Sequence, residues 1–374
     1  MKHNTIYTGD ATETLQKLPP ESVHMVMTSP PYWNLRDYDH DDQLGLEPES
    51  EQYVQNMADV FDEVKRVLRP DGSLWLNLGD TYEKKDLQQI PARVALELQN
   101  RGWILRNRVT WTKPNPMPQS VKDRLNDTTE AVFHFVKERD YWYDLDAIRE
   151  PHSEYSTEWA ERTSRKSDAG ATDDQFASHH ESDGLHSKKQ DCTSELHPAG
   201  KNPGDVFEVT TKPFPEAHFA VYPPELVKKP LKATCPPKVC AECGSPYERE
   251  VERKQVLRCD LPKEHPQYRE RKYEYENPDE VEYKANRHHS EIEHKGWTPT
   301  CDCDTDATEA GIALDPFAGA GTTLLKAKEL GRKFVGVELN PKYADMARAR
   351  VGIDVKDPSN IRDDADQSGL EAYE

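Results

Sequence analysis

A short apolar run, residues 23–27, ends in the sequence Thr-Ser-Pro-Pro-Tyr-Trp at residues 28–33. An apolar run of this length that stops at prolines is typical of a buried strand that opens into a rigid turn. The two prolines remove two backbone N–H donors and leave carbonyl oxygens that can accept hydrogen bonds. Open α/β sheets bind ligands at such strand ends, so the turn predicts a pocket for a flat ring that carries an amine. For these six residues alone, a tight loop closed by an aromatic plug is the alternative.

A second apolar run, residues 312–314, leads into a glycine-rich turn, Asp-Pro-Phe-Ala-Gly-Ala-Gly-Thr-Thr at residues 315–323. The pattern predicts a helix over residues 322–330 and then a strand over residues 334–338, which ends in Glu338. Glycines let the backbone approach a ligand, and an acid that ends the following strand accepts hydrogen bonds from ribose hydroxyls. No Gly-Lys-Ser/Thr follows the turn, and the glycine spacing is not that of dinucleotide sites. The sequence therefore predicts a nucleoside ligand without a pyrophosphate, such as S-adenosylmethionine.

The rest of the chain alternates short strands with helices, which indicates a mostly parallel sheet. An acidic loop over residues 37–51 suits a flap over a site. The strand at residues 131–136 is rich in aromatic and β-branched residues, and we expect it to be antiparallel and at the sheet edge. Strands are also predicted at residues 5–8, 23–28, 73–78 and 104–111, and helices at residues 12–18, 53–68, 91–101 and 341–350.

The chain is strongly acidic, with 49 Lys and Arg against 69 Asp and Glu, a formal net charge of -20 and a pI of about 5.2. An acid-rich surface with few apolar residues resembles the cytosolic proteins of organisms that accumulate salt. Molar salt shortens the Debye length to about 3 Å, so a distant acidic surface would then hardly repel a polyanion. We therefore hypothesise a protein adapted to high salt.

Positive charge is concentrated in one stretch of the chain. No acidic residue lies between Arg101 and Lys122. A local basic strip in an acidic protein is a candidate surface for nucleic-acid phosphates, and solvated strand ends are the alternative. The candidate DNA-binding residues in and beside the strip are Arg106, Arg108, Lys113, Lys122 and Arg124.

Seven cysteines, an odd number concentrated late in the chain, do not form the pattern of a secreted disulfide framework. Cys240 and Cys243 have the spacing of a zinc knuckle, and Cys301 and Cys303 fit as the second pair of a tetrahedral thiolate site. Such a site would staple a charged insert that has too few apolar residues to hold itself. Free cysteines are the alternative, and substitute ligands are Cys235, Cys259, His288, His289 and His294.

Residues 28–32 and 315–323 together resemble the two main motifs of the amino-group DNA methyltransferases. Their order, with the catalytic motif before the cofactor motif, is that of the permuted β class. The resemblance covers residues 1–150 and 204–353. It implies a class I S-adenosylmethionine-dependent methyltransferase fold, which is a Rossmann-like α/β sheet, mostly parallel, with helices on both faces, a circularly permuted motif order and here a zinc-stapled insert. Further motifs of the family resemble residues 9–10, 111–116, 218–226 and 338–341.

The resemblance also implies residue roles. Ser29 and the Pro30 carbonyl can accept hydrogen bonds from an exocyclic amine and aim its lone pair at a sulfonium methyl. Tyr32 would stack on a base rotated out of the duplex. Methylation at ring carbon 5 would need a cysteine beside the proline, and none is there. The predicted catalytic residues are Ser29, Pro30, Pro31 and Tyr32, and the predicted cofactor-binding residues are Asp10, Ala220, Asp315, Phe317, Gly319, Gly321, Thr322 and Glu338.

Within the family, Ser before Pro-Pro-Tyr is more typical of enzymes that methylate cytosine amines, and Asp or Asn of adenine enzymes. We therefore expect N4 methylation of cytosine in double-stranded DNA, with N6 methylation of adenine as the runner-up. Two rivals belong to other classes: methylation of a protein glutamine amide, and a non-catalytic zinc-containing DNA-binding protein. The recognition sequence, a homodimer, and pairing with a cognate restriction endonuclease or an orphan modification role all stay open.

No apolar stretch approaches the length of a membrane span, and the N-terminus lacks a signal pattern, so we expect a cytoplasmic protein without a membrane partner. The polar composition of residues 155–204 predicts a partly mobile segment. The expected parts are residues 1–116 as the catalytic part of the sheet, 117–204 as an edge strand and target-recognition region, 205–234 as the entry helix of the cofactor domain, 235–306 as the zinc insert, 307–353 as the cofactor-binding strand-turn-helix-strand, and 354–374 as an acidic tail.

Overall fold

The structure is a computed structural model, and it describes residues 1–37, 43–159, 196–211, 221–257 and 288–356. The chain divides into two units. Unit 1 comprises residues 1–147, 204–248 and 299–374, and unit 2 comprises residues 148–203 and 249–298. No helix among the described residues is long and apolar enough to cross a bilayer.

The strands of the described residues are mostly short. In chain order they are β1 (Thr5–Thr8), β2 (Val23–Thr28), β3 (Leu68–Leu78), β4 (Tyr82–Glu83), β5 (Asp86–Leu87), β6 (Ile104–Thr112), β7 (Thr129–Val136), β8 (Val206–Glu208), β9 (Val239–Cys240), β10 (Tyr247–Leu257), β11 (His288–Pro299), β12 (Thr308–Glu309), β13 (Ile312–Asp315) and β14 (Lys333–Glu338).

Unit 1 is built on an eight-stranded sheet in the order β1-β14-β13-β2-β3-β7-β6-β8. Neighbouring strands in this sheet are parallel except at β7, which is antiparallel to both β3 and β6. Leu314 of β13 pairs with Val26 of β2 although the two strands are far apart in the chain. Because these two strands run in the same direction, the turns that follow them open at the same edge of the sheet.

Helices cover both faces of this sheet. Consecutive residues of a strand face opposite sides, and Val26 belongs to one core cluster while Met27 belongs to the other. The first cluster is completed by α1 (Ala11–Gln16), α2 (Ser50–Val67) and α3 (Ile90–Asn100), and the second by α4 (Pro224–Thr234), α5 (Thr322–Glu329) and α6 (Pro341–Val351).

The predicted class, a mostly parallel α/β sheet between helical layers, is confirmed, and three local expectations need correction. β7 is antiparallel as predicted but lies inside the sheet, because β6 pairs with its free side and β8 extends the sheet further. β3 begins at Leu68 and not at the predicted residue 73, since residues 69–72 are absorbed by a register shift against β2. α2 begins at Ser50, which shortens the predicted acidic loop.

Unit 2 contains most of the two-stranded ribbon formed by β10 and β11. Its described side chains are held by charge pairs across the strands, such as Lys295 with Glu252 at 2.9 Å. The guanidinium of Arg249 lies 4.8 Å from the Trp297 ring. The greater part of the segment predicted to be mobile, residues 160–195, lies outside the described residues, as do residues 357–374 of the predicted tail.

Candidate active site

Two turns of unit 1 meet at one edge of the sheet. The turn after β2 and the turn after β13 both line a cavity of about 490 Å³, a volume typical of small-molecule sites. The cavity therefore lies at the carboxyl ends of parallel strands, where open α/β sheets bind their ligands. Its walls include Asp10, Ser29, Tyr32, Lys113, Glu130 and Glu338.

A network of polar side chains fixes the turn after β2. The Ser29 hydroxyl lies 3.1 Å from the Tyr32 hydroxyl, which donates to Glu130 Oε2 at 2.7 Å. The Asn77 amide nitrogen donates to the Tyr32 hydroxyl at 2.8 Å and to Glu130 Oε2 at 2.9 Å. It also lies 3.2 Å from Ser29 Oγ. Lys113 forms an ion pair with the other oxygen of Glu130. Each neighbour of Ser29 is itself bonded, so the hydroxyl is held in one position at the cavity wall.

The two prolines of this turn have different surroundings. The Tyr53 hydroxyl of α2 donates to the Pro31 carbonyl at 2.8 Å, so that oxygen is already engaged. Pro30 is buried and lines the cavity, which leaves its carbonyl as the candidate acceptor. Gly79, just after β3, makes room for Tyr32, because a Cβ there would lie 2.4 Å from the Tyr32 ring. The turn is thus shaped by contacts from both α2 and β3.

Asp315 ends β13 but is fully buried behind the cavity wall. Its Oδ1 accepts hydrogen bonds from the Thr28 hydroxyl at 2.7 Å and the Phe317 N–H at 3.1 Å. Its Oδ2 accepts from the Tyr222 hydroxyl at 3.1 Å. Burial raises the pKa of Asp315 to about 6, although these donors oppose the shift. The carboxylate thus ties the end of β13 to the end of β2, and its contact with the cofactor stays a prediction.

Glu338 ends β14, and its carboxylate borders the cavity. The Gly319 N–H donates to Oε2 at 2.8 Å, and the Asn340 N–H donates to Oε1 at 2.9 Å. Burial raises the pKa of Glu338 to about 7, although these backbone donors oppose the shift. A carboxylate oxygen that accepts one hydrogen bond can accept another. The group is therefore placed to receive hydrogen bonds from two neighbouring hydroxyls of a ligand.

The remaining predicted cofactor residues divide into two groups. Gly321 is not part of the cavity wall. It has φ 76° at the start of α5, and a Cβ there would lie 3.0 Å from the Ala347 side chain, so it shapes the turn. Its contact with the cofactor stays a prediction. Ala220 lies outside the described residues. The others line the cavity: Asp10, Phe317, Gly319 and Thr322.

The predicted basic strip is not continuous in the structure. Arg101 forms ion pairs with Asp59 at 2.6 Å and Asp62 at 2.7 Å, which neutralise its charge locally. Lys113 lies in the cavity wall, beside Glu130 and 4.8 Å from the Trp111 ring. Contact of Lys113 with DNA stays a prediction.

The other basic residues of the strip are exposed, and Arg124 beside the strip is half-buried. Arg106 and Arg108 are exposed on β6, and Arg106 lies 5.5 Å from the Tyr141 ring. Lys122 is exposed on the loop that follows β6. Arg124 forms an ion pair with Asp127 at 2.8 Å. Contact of these four cations with DNA stays a prediction.

The cysteines predicted to bind zinc come together in unit 1. The Sγ atoms of Cys240, Cys243, Cys301 and Cys303 all lie within 4.8 Å of one another. Cys235 is not among them: it lies in the core, where burial raises the pKa of its thiol to about 12. Of the other suggested substitutes, His294 contacts the Trp297 ring, while Cys259 and the side chains of His288 and His289 lie outside the described residues.

The turn that follows Cys243 is tied to the sheet. His24 of β2 is buried and donates from Nε2 to the Gly244 carbonyl at 3.0 Å, in the tautomer that lets Nδ1 accept from the Ile312 N–H at 3.1 Å. Burial lowers the pKa of His24 to about 4, so the neutral ring both donates and accepts. Arg69 donates to the Cys243 carbonyl at 3.1 Å. The cysteine cluster is thus attached to the amino ends of β2 and β13, opposite the cavity.

Two residues of the site were not predicted from the sequence. Asn77 is the one polar residue in the apolar run at 74–78. A polar residue in a predicted buried strand is the sequence feature that could have indicated a role in the site. Its amide oxygen is buried and has no hydrogen-bond partner in the described part of the chain. Glu130 stands just before the apolar run at 131–136, where a carboxylate resembles an ordinary strand end.

Comparison with known proteins indicates one family. The family described as DNA methylase, which comprises N6 and N4 methyltransferases, matches residues 23–240 and 305–349. The chain is 34% identical to the Type II methyltransferase M.SfiI of Streptomyces fimbriatus, over 90% of this chain and 88% of that protein. It is 30% identical to the Type II methyltransferase M.XycI of Xanthomonas campestris pv. cyanopsidis, over 94% of this chain and 88% of that protein.

Among solved structures, the PvuII DNA methyltransferase (cytosine-N4-specific) superposes with a TM-score of 0.53 at 17% identity, over 95% of this chain and 88% of that one. This likeness shows the shared fold. The family match extends over more than half of the residues and includes the turn after β2 and the turn after β13. The chain is therefore a DNA methyltransferase of the N6/N4 family.

Proposed function

We propose that the protein transfers a methyl group from S-adenosylmethionine to the N4 amine of a cytosine flipped out of double-stranded DNA. The observation that carries the proposal is that Ser29 and Glu338 line the same cavity. One wall offers acceptors for an amine, and another offers a carboxylate for ribose hydroxyls. A base and a nucleoside cofactor would thus meet in one site.

The cofactor side would be formed by residues at the ends of β1, β13 and β14. Glu338, oriented by the N–H groups of Gly319 and Asn340, accepts from the ribose hydroxyls. Gly319 has φ 50°, a left-handed conformation that favours glycine, and the absence of a side chain lets its backbone come close to the ligand. Asp10 and Phe317 border the same space, and Ala220 is proposed from the resemblance for the methionine end. Bound S-adenosylmethionine supplies an electrophilic methyl group on a sulfonium.

The amine side would be formed by the turn after β2. The lone pair of an exocyclic amine is delocalised into the ring, which makes the nitrogen a poor nucleophile. Ser29 Oγ and the Pro30 carbonyl accept hydrogen bonds from the two amine N–H groups and favour a tetrahedral nitrogen whose lone pair points at the methyl group. Tyr32, braced by Glu130 and Gly79, offers its ring for stacking on the flipped base.

The DNA backbone would be held by cations outside the cavity. Arg106, Arg108, Lys122 and Arg124 would contact phosphates, and residues 117–204 would contain the target-recognition region. Double-stranded DNA is therefore the proposed partner. The Type II relatives support a role as the modification enzyme that accompanies a restriction endonuclease. Expression of the protein together with the products of the neighbouring genes would test this role.

Cytosine is favoured over adenine by the serine at position 29, and the fold is shared with an enzyme described as cytosine-N4-specific. The permuted order is supported by β13, which carries the cofactor turn, follows β2 in the chain and lies beside it in the sheet. Adenine N6 methylation remains the alternative within the family.

The reaction is tested by incubating the purified protein with labelled S-adenosylmethionine and plasmid DNA, then digesting the DNA to nucleosides for mass spectrometry. We expect label in DNA, all of it in N4-methylcytosine. N6-methyladenine as the sole product would show that the assigned base is wrong. The absence of any transfer to DNA would favour the non-catalytic alternative.

We also propose that Cys240, Cys243, Cys301 and Cys303 bind one structural zinc ion. Tetrahedral coordination with Zn–S bonds of about 2.3 Å places the sulfurs about 3.8 Å apart, which fits atoms that lie within 4.8 Å of one another. The pairs come from segments separated by the charged residues 249–298, so the ion would close the base of that insert.

Native mass spectrometry of freshly purified protein tests the zinc site. We expect one zinc per chain, lost in Cys243→Ser and retained in the matched variant Cys235→Ala, whose thiol lies in the core. Protein that is folded and zinc-free after growth in zinc-replete medium would contradict the assignment.

A further inference from the structure

The loop between β6 and β7, residues 113–128, exposes two large apolar side chains. Leu125 is 90% exposed and Met117 is 83% exposed, more than any other large apolar side chain in the described ranges. Apolar residues scattered singly over a surface are ordinary. Two exposed large apolar side chains within nine positions of one loop are less common, and neither of them packs against the rest of unit 1.

Hydrogen bonds within this loop fix its conformation, so Leu125 projects from an ordered backbone. Arg124 Nη1 donates to Asp127 Oδ2 at 2.8 Å and to the Leu125 carbonyl at 3.0 Å. The same guanidinium lies 4.0 Å from the Tyr82 ring. Gln119 Oε1 accepts from the Asp127 N–H at 3.2 Å, which closes the loop on itself. Ordering the tip on contact with a partner would therefore cost little further entropy.

The braced loop adjoins the cavity. Gln119, which closes the loop, also lines the cavity, as does Lys113 at its start. Lys122 is exposed between Gln119 and Leu125. The apolar tip therefore belongs to a loop that borders the proposed site of the base and the cofactor, and it is close in sequence to a cation suited to a phosphate. This combination matches a surface that meets DNA where a base has left the stack.

We propose that Leu125 is a wedge that enters the DNA base stack at the position vacated by the flipped base. Proteins that distort DNA insert apolar side chains such as Leu between base steps, and the inserted contact offsets part of the unstacking cost. Leu125 thus contacts the substrate but not the reacting atoms. This inference rests on the proposed function, because it requires a flipped target base.

The experiment compares two duplexes that contain the methylation site found for the wild-type protein. In one the target base is paired, and in the other it faces an abasic position, so the cost of unpairing is removed in advance. We expect Leu125→Ala to lower kcat/KM about tenfold or more on the paired duplex and to stay within about twofold of wild type on the other. With 2-aminopurine at the target position, fluorescence should rise less for the variant than for wild type.

Leu96→Ala is the matched control, since Leu96 is 61% exposed on α3 and lies on neither the loop nor the cavity wall. It should leave both rates unchanged. An unchanged rate for Leu125→Ala on the paired duplex, an equal loss on both duplexes, or the expected pattern in Met117→Ala alone would each overturn the proposal. Wild-type protein for which no methylation site is found in DNA would instead contradict the proposed function.

Discussion

Ser29 owes its position to one side chain of its own turn and to side chains from two other strands of the sheet. Tyr32 follows it in the same turn, Asn77 lies on β3, and Glu130 begins β7. The serine hydroxyl therefore depends on contacts that are distant in sequence, while its nearest sequence neighbours supply the proline-stiffened backbone.

Replacing Ser29 by alanine should separate methyl transfer from cofactor binding. We expect Ser29→Ala to lower kcat on the order of 10²-fold, because one acceptor aimed at the amine is lost. The dissociation constant for S-adenosylmethionine, measured by calorimetry, should change little, since Glu338 and Gly319 are untouched. Ser22→Ala, at the amino end of β2 where the hydroxyl contacts Pro19, is the matched control and should leave kcat unchanged. Loss of cofactor binding in Ser29→Ala would mean that the turn is misassigned.

Cofactor affinity should depend on the ionisation of Glu338. Burial raises the pKa of this carboxyl from 4.5 to about 7, and ribose hydroxyls donate to its ionised form. Affinity for S-adenosylmethionine should therefore rise as pH increases from about 6 to about 8, by up to tenfold per unit below the pKa. Calorimetric titrations across this range measure it, and Glu338→Gln should bind more weakly and without the pH dependence. A wild-type affinity that is flat with pH would contradict this role.

The raised pKa of Glu338 also affects the free energy of unfolding of the ligand-free protein. This effect has the opposite pH dependence, because stability falls as pH rises. Between the ordinary pKa of 4.5 and about 7, the folded state holds a proton that the unfolded state has released. The contribution of Glu338 to stability is thus present at low pH and is lost as pH rises through 7. Above pH 7 the ionised Glu338 carboxylate therefore destabilises the ligand-free protein most. In the same pH range, ribose hydroxyls can donate hydrogen bonds to this carboxylate and offset the cost.

At the scale of elements, the end of β3 shapes the active turn. We expect Gly79→Ala to lower kcat between about tenfold and 10²-fold, because the new Cβ would lie 2.4 Å from the Tyr32 ring and displace it. Steady-state kinetics with a thermal melt measure this, with Gly204→Ala as control, since nothing lies within 4 Å of a Cβ at Gly204. A Gly79→Ala enzyme with wild-type kcat would show that Tyr32 need not pack on β3.

Local patterns predicted the strands that carry the site, because their apolar runs end in distinctive turns. The bounds of β1 and β2 coincide with the predicted residues 5–8 and 23–28. The position of β7 could not be read in this way, since it depends on pairing with β3 and β6, and strand pairing is a long-range property. The burial of Asp315 was equally hidden, because its partners Thr28 and Tyr222 reach it only in the folded sheet.

At the scale of the whole molecule, the excess of acidic residues predicts a salt-dependent stability. A formal net charge of -20 destabilises the compact state through self-repulsion, which salt screens. We expect the melting temperature at pH 7 to rise as KCl increases toward molar concentration. The rise should be smaller at pH 5, near the pI of about 5.2. A melting temperature that falls with KCl at pH 7 would contradict adaptation to high salt.

The central claim is that the turn after β2 directs methyl transfer to the N4 amine of cytosine. Single-molecule sequencing of DNA from cells that express the wild-type protein or Ser29→Ala measures the modified base and its sequence context together. The account predicts N4-methylcytosine at one recurrent sequence in wild-type cells and its loss in Ser29→Ala cells. N6-methyladenine at the recurrent sequence, or an N4-methylcytosine signal that persists unchanged in Ser29→Ala cells, would contradict it.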